Sequence, residues 1–254
     1  MKSRTAQTVK PAAEQATSQS ERATLALREM LAQGHFRPGE RMREVPLAKQ
    51  LGISRIPLRL ALERLAHEGF LEMRSTRGFV AQQFEISDIY DSIDLRGAIE
   101  GMAARYAAER RTSKDELATL WSVHRQMSKL IRNRKLTLEC LSEYIALNSQ
   151  FHDEVLRLAR SRRLQRALEQ ACCLPFASPN AFVRRQYLEP ESQELFLISV
   201  EHHRAIAEAI ELGESARAEN VAREHARVAR RNLDSALANR NQGEMVPGLK
   251  LIKL

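Results

Sequence analysis

The sequence predicts a mainly α-helical protein in two parts: a compact, turn-rich N-terminal unit that ends in a small hairpin, then a longer all-α helical bundle. Three observations carry this. Five of the ten glycines fall at 34, 39, 52, 69 and 78, and between 85 and 212 only Gly97 and Gly101 occur, so one region turns often and the next hardly at all. Aromatic residues make up only 5% while Ala, Leu and Arg abound, a composition that favours helix. Beyond residue 85, apolar residues recur at three- and four-residue spacing through six stretches.

The chain's 254 residues, 43% hydrophobic, suffice for a packed core in one large or two modest domains. No apolar run reaches the length of a membrane span, and no membrane partner is expected. The stretch "MKSRTAQTVKPAAEQATSQS" lacks the apolar centre of a secretory signal, and residues 1–19 read as a disordered arm, polar and without a period to bury. Three cysteines, with Cys172 and Cys173 adjacent, form neither a disulfide framework nor a C-x-x-C site. They read as small apolar residues, and a reducing cytoplasm is the expected compartment.

Net charge is +8, unevenly spread. Residues 1–84 carry 14 Lys and Arg against 8 Asp and Glu, a net of +6, and the remaining 170 residues carry 26 against 24. A basic segment beside a near-neutral one points to polyanion binding by the first.

The first unit spans residues 20–84. "SQSE" (Ser18 to Glu21) has capping-box spacing. Leu27, Met30 and Leu31 follow on one helical face, and Gly34 is a stop signal. "HFRPGERM" is a turn, and "EVPLAKQL" a short second helix closed by Gly52. Ser54 can cap a third helix, with Pro57 in its first turn, where a missing N–H costs little. Leu58, Leu62 and Leu65 face the core. Gly69 ends that helix, and "FLEMR-STRG-FVAQQ" alternates about a glycine turn as a hairpin.

Two short helices joined by a tight turn and followed by a hairpin describe a winged helix-turn-helix. The second helix of such a unit enters the major groove by its N-terminus. Ser54 and the amides there can hold phosphate. Arg55 and Arg59, four apart and opposite the leucines, can reach guanine edges or phosphates. Arg74 and Arg77 flank the hairpin turn, placed for a wing on the DNA backbone or in the minor groove.

"LAKQLGISRIPLRLALERLAHEGFL", with "GHFRPGERMRE" upstream, resembles the DNA-binding domain of GntR-type bacterial regulators over residues 20–84. The resemblance implies DNA contact at Arg43, Ser54, Arg55, Pro57, Arg59 and Gly78. Leu60 departs from the family pattern, which has Glu there.

Residues 85–240 read as an all-helical domain, with helices near 87–111, 113–132, 137–159, 161–174, 192–212 and 214–239. "SKDE" (Ser113 to Glu116) is a second capping box, and Gly213 a stop. "LPFASPNAFVRRQYLEPES" (174–192) is Pro-interrupted, a loop with a short helix. Residues 241–254, which include "MVPGLKLIKL", form an apolar, basic tail that could dock on a partner subunit or fray.

Polar residues interrupt the apolar stripes. Arg96 and Glu100 fall on the stripe of Ile89, Ile93, Ala103 and Ala107, where they can pair one turn apart. Asn148 and His152 share the stripe of Leu141, Ile145 and Val155. His203 aligns with Phe196, Ile206 and Ile210, although His202 lies on a stripe of its own with Ile198 and Ala205. His225 aligns with Val221, Val228 and Asn232. Three imidazoles on three helices, with one oxygen donor, suit Zn²⁺, Ni²⁺ or a similar ion with positions left open for a carboxylate.

"DLRGAIEGMAARYAAER", "NSQFHDEVLRLARSRRL", "EHHRAIAEAI" and "AREHARVARRNL" resemble signature segments of the FCD domain, the effector domain of the FadR branch of the same family. The resemblance implies metal ligation by Asn148, His152, His203 and His225, and selects His203 over His202. Asn148 stands where many relatives have Asp, which predicts weaker metal binding or an anionic effector that completes the site. Arg96 matches a position that can meet an effector carboxylate, with Glu100 beside it.

The leading expectation is a homodimeric, ligand-responsive transcription factor, a repressor released by a small organic acid. It would bind a pseudo-palindromic DNA operator, with a divalent metal as possible cofactor. A three-His metal hydrolase is the enzymatic alternative. Against it stand the lack of an HExxH motif, of a phosphate-binding glycine loop and of a placed general base, so no enzyme is expected. The third reading is an effector-blind DNA-binding protein. It leaves the inward polar groups without a purpose, although they are costly to bury.

Overall fold

The computed structural model describes residues 12–32, 34–133, 137–173, 177, 192–238 and 251–253. The chain divides into two compact units, Met1–Phe84 with Pro247–Leu254, and Glu85–Val246.

In the first unit, α1 (Ala12–Ala32), α2 (Glu44–Leu51) and α3 (Arg55–His67) precede an antiparallel hairpin of β1 (Leu71–Arg74) and β2 (Gly78–Ala81). The mainly α fold class and the helix-turn-helix with its wing are as the sequence predicts. The start of α1 differs. Ser18 lies inside the helix, and residues 12–19, expected in a disordered arm, are helical. The run Ala-Ala-Glu-Gln-Ala from residue 12 has high helix propensity, and this prevails over the cap signal at Ser18. Residues 1–11 lie outside the described part.

Gly34 ends α1 and Gly52 ends α2, both left-handed, with φ of 72° and 65°. The Gly52 amide donates to the carbonyls of Ala48 and Lys49. Leu27, Leu31, Leu58, Leu62 and Leu65 are fully buried, so α1 and α3 meet through the predicted leucines. Buried Glu68 accepts from Arg28 of α1 and Arg64 of α3. The hairpin pairs Leu71 with Ala81 and Arg74 with Gly78. Backbone bonds from Met42 to Phe79 and from Ala81 to Glu40 lay residues 40–42 along its other edge.

A two-residue strand β3 (Phe84–Glu85) pairs with β4 (Ile252–Lys253). Leu251 and Ile252 are buried. This part of the tail docks on the chain's own first unit. Residues 239–250, and those at 174–176 and 178–191 expected as a loop with a short helix, lie outside the described part.

The second unit holds α4 (Ile86–Glu109), α5 (Lys114–Asn133), α6 (Leu138–Leu158), α7 (Arg162–Cys173), α8 (Ser192–Leu212) and α9 (Ser215–Ala238). The predicted spans agree to within one or two residues. Two of them overshoot at the C-terminal end because α4 and α6 stop without glycine, where Arg111 and Arg160 take positive φ of 47° and 46°, a conformation uncommon for side-chain-bearing residues. The Ser113–Glu116 capping box forms as expected. Glu85 and Asp88 make another that opens α4.

The core gathers Leu117, Leu120, Met127 and Ile131 of α5, Phe151 of α6, and Phe196 and Ile206 of α8. Tyr144 meets Phe196 edge-on, with ring centroids 4.7 Å apart. Helices α4 and α9 pack closely because Gly97 and Gly101 have no side chain. A Cβ at Gly97 would lie 2.7 Å from Ala226 Cβ, and one at Gly101 2.7 Å from Arg223 Cγ and 3.0 Å from the Glu219 carbonyl. Leucine at Gly97 is therefore expected to lower stability by about 2 kcal/mol or more, as overpacked interiors do. The check is the urea midpoint, and an unchanged midpoint would mean that the two helices separate freely.

Candidate nucleic-acid face and metal centre

In the first unit the predicted DNA-contacting residues divide into three groups. Arg55 and Arg59 project from the first turns of α3 with side chains 71% and 60% exposed, in peripheral ion pairs to Glu44 at 3.9 Å and Glu63 at 3.3 Å. Arg43 is exposed at the N-cap of α2, and Ser54 is exposed at the N-cap of α3, its hydroxyl making no capping bond. Arg77 is exposed in the hairpin turn. Gly78 takes φ of 68° with open space about it, so it is the backbone conformation that calls for glycine.

Two residues do not fit the simple picture. Pro57 is buried on the core side of α3, because its position in the helical turn falls beside Leu58 and Ala61; it shapes the helix start and is not on the accessible face. Arg74 is occupied by Glu72, two residues away on the same strand face, through bonds of 2.9 and 2.8 Å. Sequence inspection passed over Arg41 and Lys49, exposed and, among the described residues, without carboxylate partners. Their proximity to Arg43 and α3 in the chain was the available signal. Leu60 is 48% exposed, so its departure from the family pattern falls on accessible surface.

In the second unit, α6, α8 and α9 bring His152, His203 and His225 together, with one nitrogen of each within 4.8 Å of the others. His203 Nε2 and His225 Nε2 are 3.1 Å apart. Three imidazoles about a tetrahedral ion at Zn–N of ~2.0–2.1 Å place their nitrogens roughly 3.4 Å apart, so small side-chain adjustments suffice. His203 is fully buried. Its neighbour His202 stands at the rim, its ring 5.9 Å from that of His225. Asn148 is buried one turn before His152.

The electrostatics keep the site ready for a cation. Burial, reinforced by neighbouring histidines, holds His203 and His225 well below the usual imidazole range, so both are neutral donors. Burial alone would raise Glu100, but the Arg96 guanidinium and then His152 overcome it and hold the carboxyl at about 2. Glu100 accepts from Arg96 at 2.9 and 3.0 Å and lies 3.1 Å from His152 Nδ1. The pair expected on α4 thus forms, and Glu100 reaches across to α6, which helical periodicity on one helix does not reveal. Among the described residues, buried His152 Nε2 has no hydrogen-bond partner. An orphaned buried nitrogen among neutral imidazoles is the donor set a borderline-soft divalent ion takes.

Beside the histidines lies a small pocket, partly open to solvent, lined by Glu100, Phe151, His152, Val155, Leu168 and His225 among others. It is apolar on most sides and polar at the histidine end, as small-molecule sites commonly are.

A basic helix-turn-helix with a wing, followed by an all-helical domain, defines a class: bacterial DNA-binding regulators with a second, helical domain. The FCD domain family matches residues 91–228, and the gntR family of bacterial regulatory proteins matches residues 19–80. The chain belongs to the gntR family of bacterial regulatory proteins, in the group that carries an FCD domain. It is 38% identical over 130 residues to the Nta operon transcriptional regulator of Aminobacter aminovorans, covering 51% of this chain but only 59% of that relative. It is 28% identical over 201 residues to a "Probable D-xylose utilization operon transcriptional repressor" of Paenarthrobacter nicotinovorans, covering 77% and 80% of the two chains. Among solved structures, E. coli McbR/YncC superposes with a TM-score of 0.59 at 19% identity, over 88% of this chain and 99% of that one, a likeness of fold. The relatives are transcriptional regulators, not enzymes. No helix among the described residues is long and apolar enough to cross a membrane.

Proposed function

We propose that the protein is a transcriptional repressor that binds a DNA operator as a homodimer and is released by a small organic acid taken up in its helical domain. The observation that carries the effector reading is the three-histidine cluster opening on a largely apolar pocket. A core needs no such cluster, since unpartnered buried nitrogens are costly. On this reading residues 20–84 read the DNA and 85–240 sense the ligand, with Arg43, Ser54, Arg55, Arg59 and Arg77 touching DNA, Arg74 doing so only on leaving Glu72, and Pro57 and Gly78 setting backbone shape. His152, His203 and His225, with Asn148 as the fourth donor, would hold Zn²⁺ or Ni²⁺. The bound ion would supply positive charge and open coordination positions to a carboxylate.

Arg96, the other candidate anchor for the acid, is 2% exposed and already bound by Glu100. Its charge is spent within the protein, and without the ion the described residues lining the pocket offer an anion no net positive group. We therefore place the acid at the histidine end, its carbon skeleton against Phe151, Val155 and Leu168. The acid shifts DNA affinity only to the extent that it binds one arrangement of the dimer better than the other.

Thermal melting against a panel of small carboxylates tests this, with divalent metal and again after chelation. The expected result is a midpoint rise that needs both one particular acid and the metal. An acid-dependent rise that survives chelation would return the anchor to Arg96. No rise with any acid would overturn the effector reading.

A further inference from the structure

We infer that Glu100 is a positioning residue for the histidine centre: bridging Arg96 and His152, it fixes the His152 proton on Nδ1 and so presents Nε2 as a ligand. The inference rests on the metal reading above and adds to it a residue outside the proposed set of metal ligands.

Glu100 Oε1 takes two donors, Arg96 Nη1 at 3.0 Å and His152 Nδ1 at 3.1 Å, and Oε2 takes Arg96 Nη1 at 2.9 Å. A carboxylate flanked by a guanidinium can only accept. The imidazole nitrogen facing it must therefore be the protonated one, which leaves the lone pair of the neutral ring on Nε2. That nitrogen is buried and unpartnered. Arg96 and Glu100 are 2% and 6% exposed, so the bridge is largely shielded from solvent. Arg96 holds the carboxylate in place, the carboxylate orients the ring, and the ring's far nitrogen is left as a donor in a cluster with the other histidines. A ligating histidine whose second nitrogen is tied to a carboxylate is a better and better-aimed donor, and losing such a partner commonly costs ~10–100-fold in metal affinity.

Glutamine at 100 is nearly isosteric but cannot repeat the bridge. In either orientation its amide N–H group opposes the Arg96 donor. In one of them it also faces His152 Nδ1, which must then accept, and the proton moves to Nε2, the nitrogen needed for ligation.

The test combines two readouts on the full chain. Nitrogen-15 chemical shifts of the metal-free wild-type protein report the His152 tautomer; the proton is expected on Nδ1. Calorimetric titration with Zn²⁺ alone compares wild type, E100Q and E100D. A 10–100-fold affinity loss is expected in E100Q, with partial recovery in E100D, whose carboxylate still only accepts. Wild-type His152 protonated on Nε2 would overturn the inference without any variant, as would equal Zn²⁺ affinity in wild type and a folded E100Q. Failure of the wild type to bind Zn²⁺ or, in the same titration, Ni²⁺ would overturn the metal reading and with it the ligand role of His152, while the tautomer signal of the metal-free protein tests the Glu100 bridge separately.

Discussion

Replacing Arg55 and Arg59 together by alanine is expected to weaken operator binding by about 100-fold or more while leaving the fold intact. Each guanidinium that reaches a guanine edge contributes ~1–3 kcal/mol, and 1.4 kcal/mol is about tenfold. Both side chains are more than half exposed, and their ion pairs to Glu44 and Glu63 lie on the surface, where such pairs contribute little to stability. The apolar side of the same helix, Leu58, Leu62 and Leu65, is untouched. Fluorescence anisotropy with the upstream region of the chain's own gene measures the effect at several salt concentrations. A base-reading arginine lowers affinity for the operator more than for random DNA. A phosphate-binding one lowers both alike and reduces the salt slope by about one unit. Unchanged, salt-insensitive binding by the double variant would remove α3 from the interface. Alanine at Arg74 should matter less, since Glu72 already neutralises it.

The second large effect is on stability and concerns pH. In the metal-free protein His203 and His225 remain neutral far below the ordinary imidazole value, chiefly through burial. The unfolded chain takes up their protons near pH 6.5, whereas the folded chain does not. The stability tied to these groups is therefore present above pH 6.5 and is lost as pH falls below it. Two such groups contribute a loss of ~3 kcal/mol between pH 7.5 and 5.5, at about 1.4 kcal/mol per proton per pH unit. His124 and His202, lowered mainly by burial, act in the same direction. Glu100 does not offset this. Its carboxyl, at about 2 in the folded protein against 4.5, contributes stability that stays constant above 4.5 and fades only towards pH 2. Urea titrations of chelator-treated protein at the two pH values check the slope, and His203→Phe should reduce it. A flat profile would show that the imidazoles gain protons in the folded state.

Much of the architecture was legible in the sequence because helices of this kind declare a buried face. The recurrence of Leu58, Leu62 and Leu65, and of the inward polar residues among Ile89, Ile93 and Ala103, follows from the 3.6-residue period alone. So does the presence of one histidine on each of three inward stripes. Periodicity says which face is inside but not what it meets there. It could pair Arg96 with Glu100 on one helix, yet it had no access to the 3.1 Å approach of Glu100 to His152 on another. The scarcity of glycine in the second region was plain, but the reason for the two exceptions, the close passage of α4 against α9, needed the partner helix. Local competition explains the other differences. Strong helix formers from Ala12 onward outweighed a cap signal at Ser18, and Glu72 claimed an arginine that spacing alone had left free.

The pairing of β4 with β3 bears on how the molecule is made. Leu251 and Ile252, buried with the first unit, leave the ribosome only after the second unit. Domains otherwise tend to fold in the order of their synthesis. Here the earlier unit is completed after the later one, because its closing strand is withheld until the whole second unit has been translated.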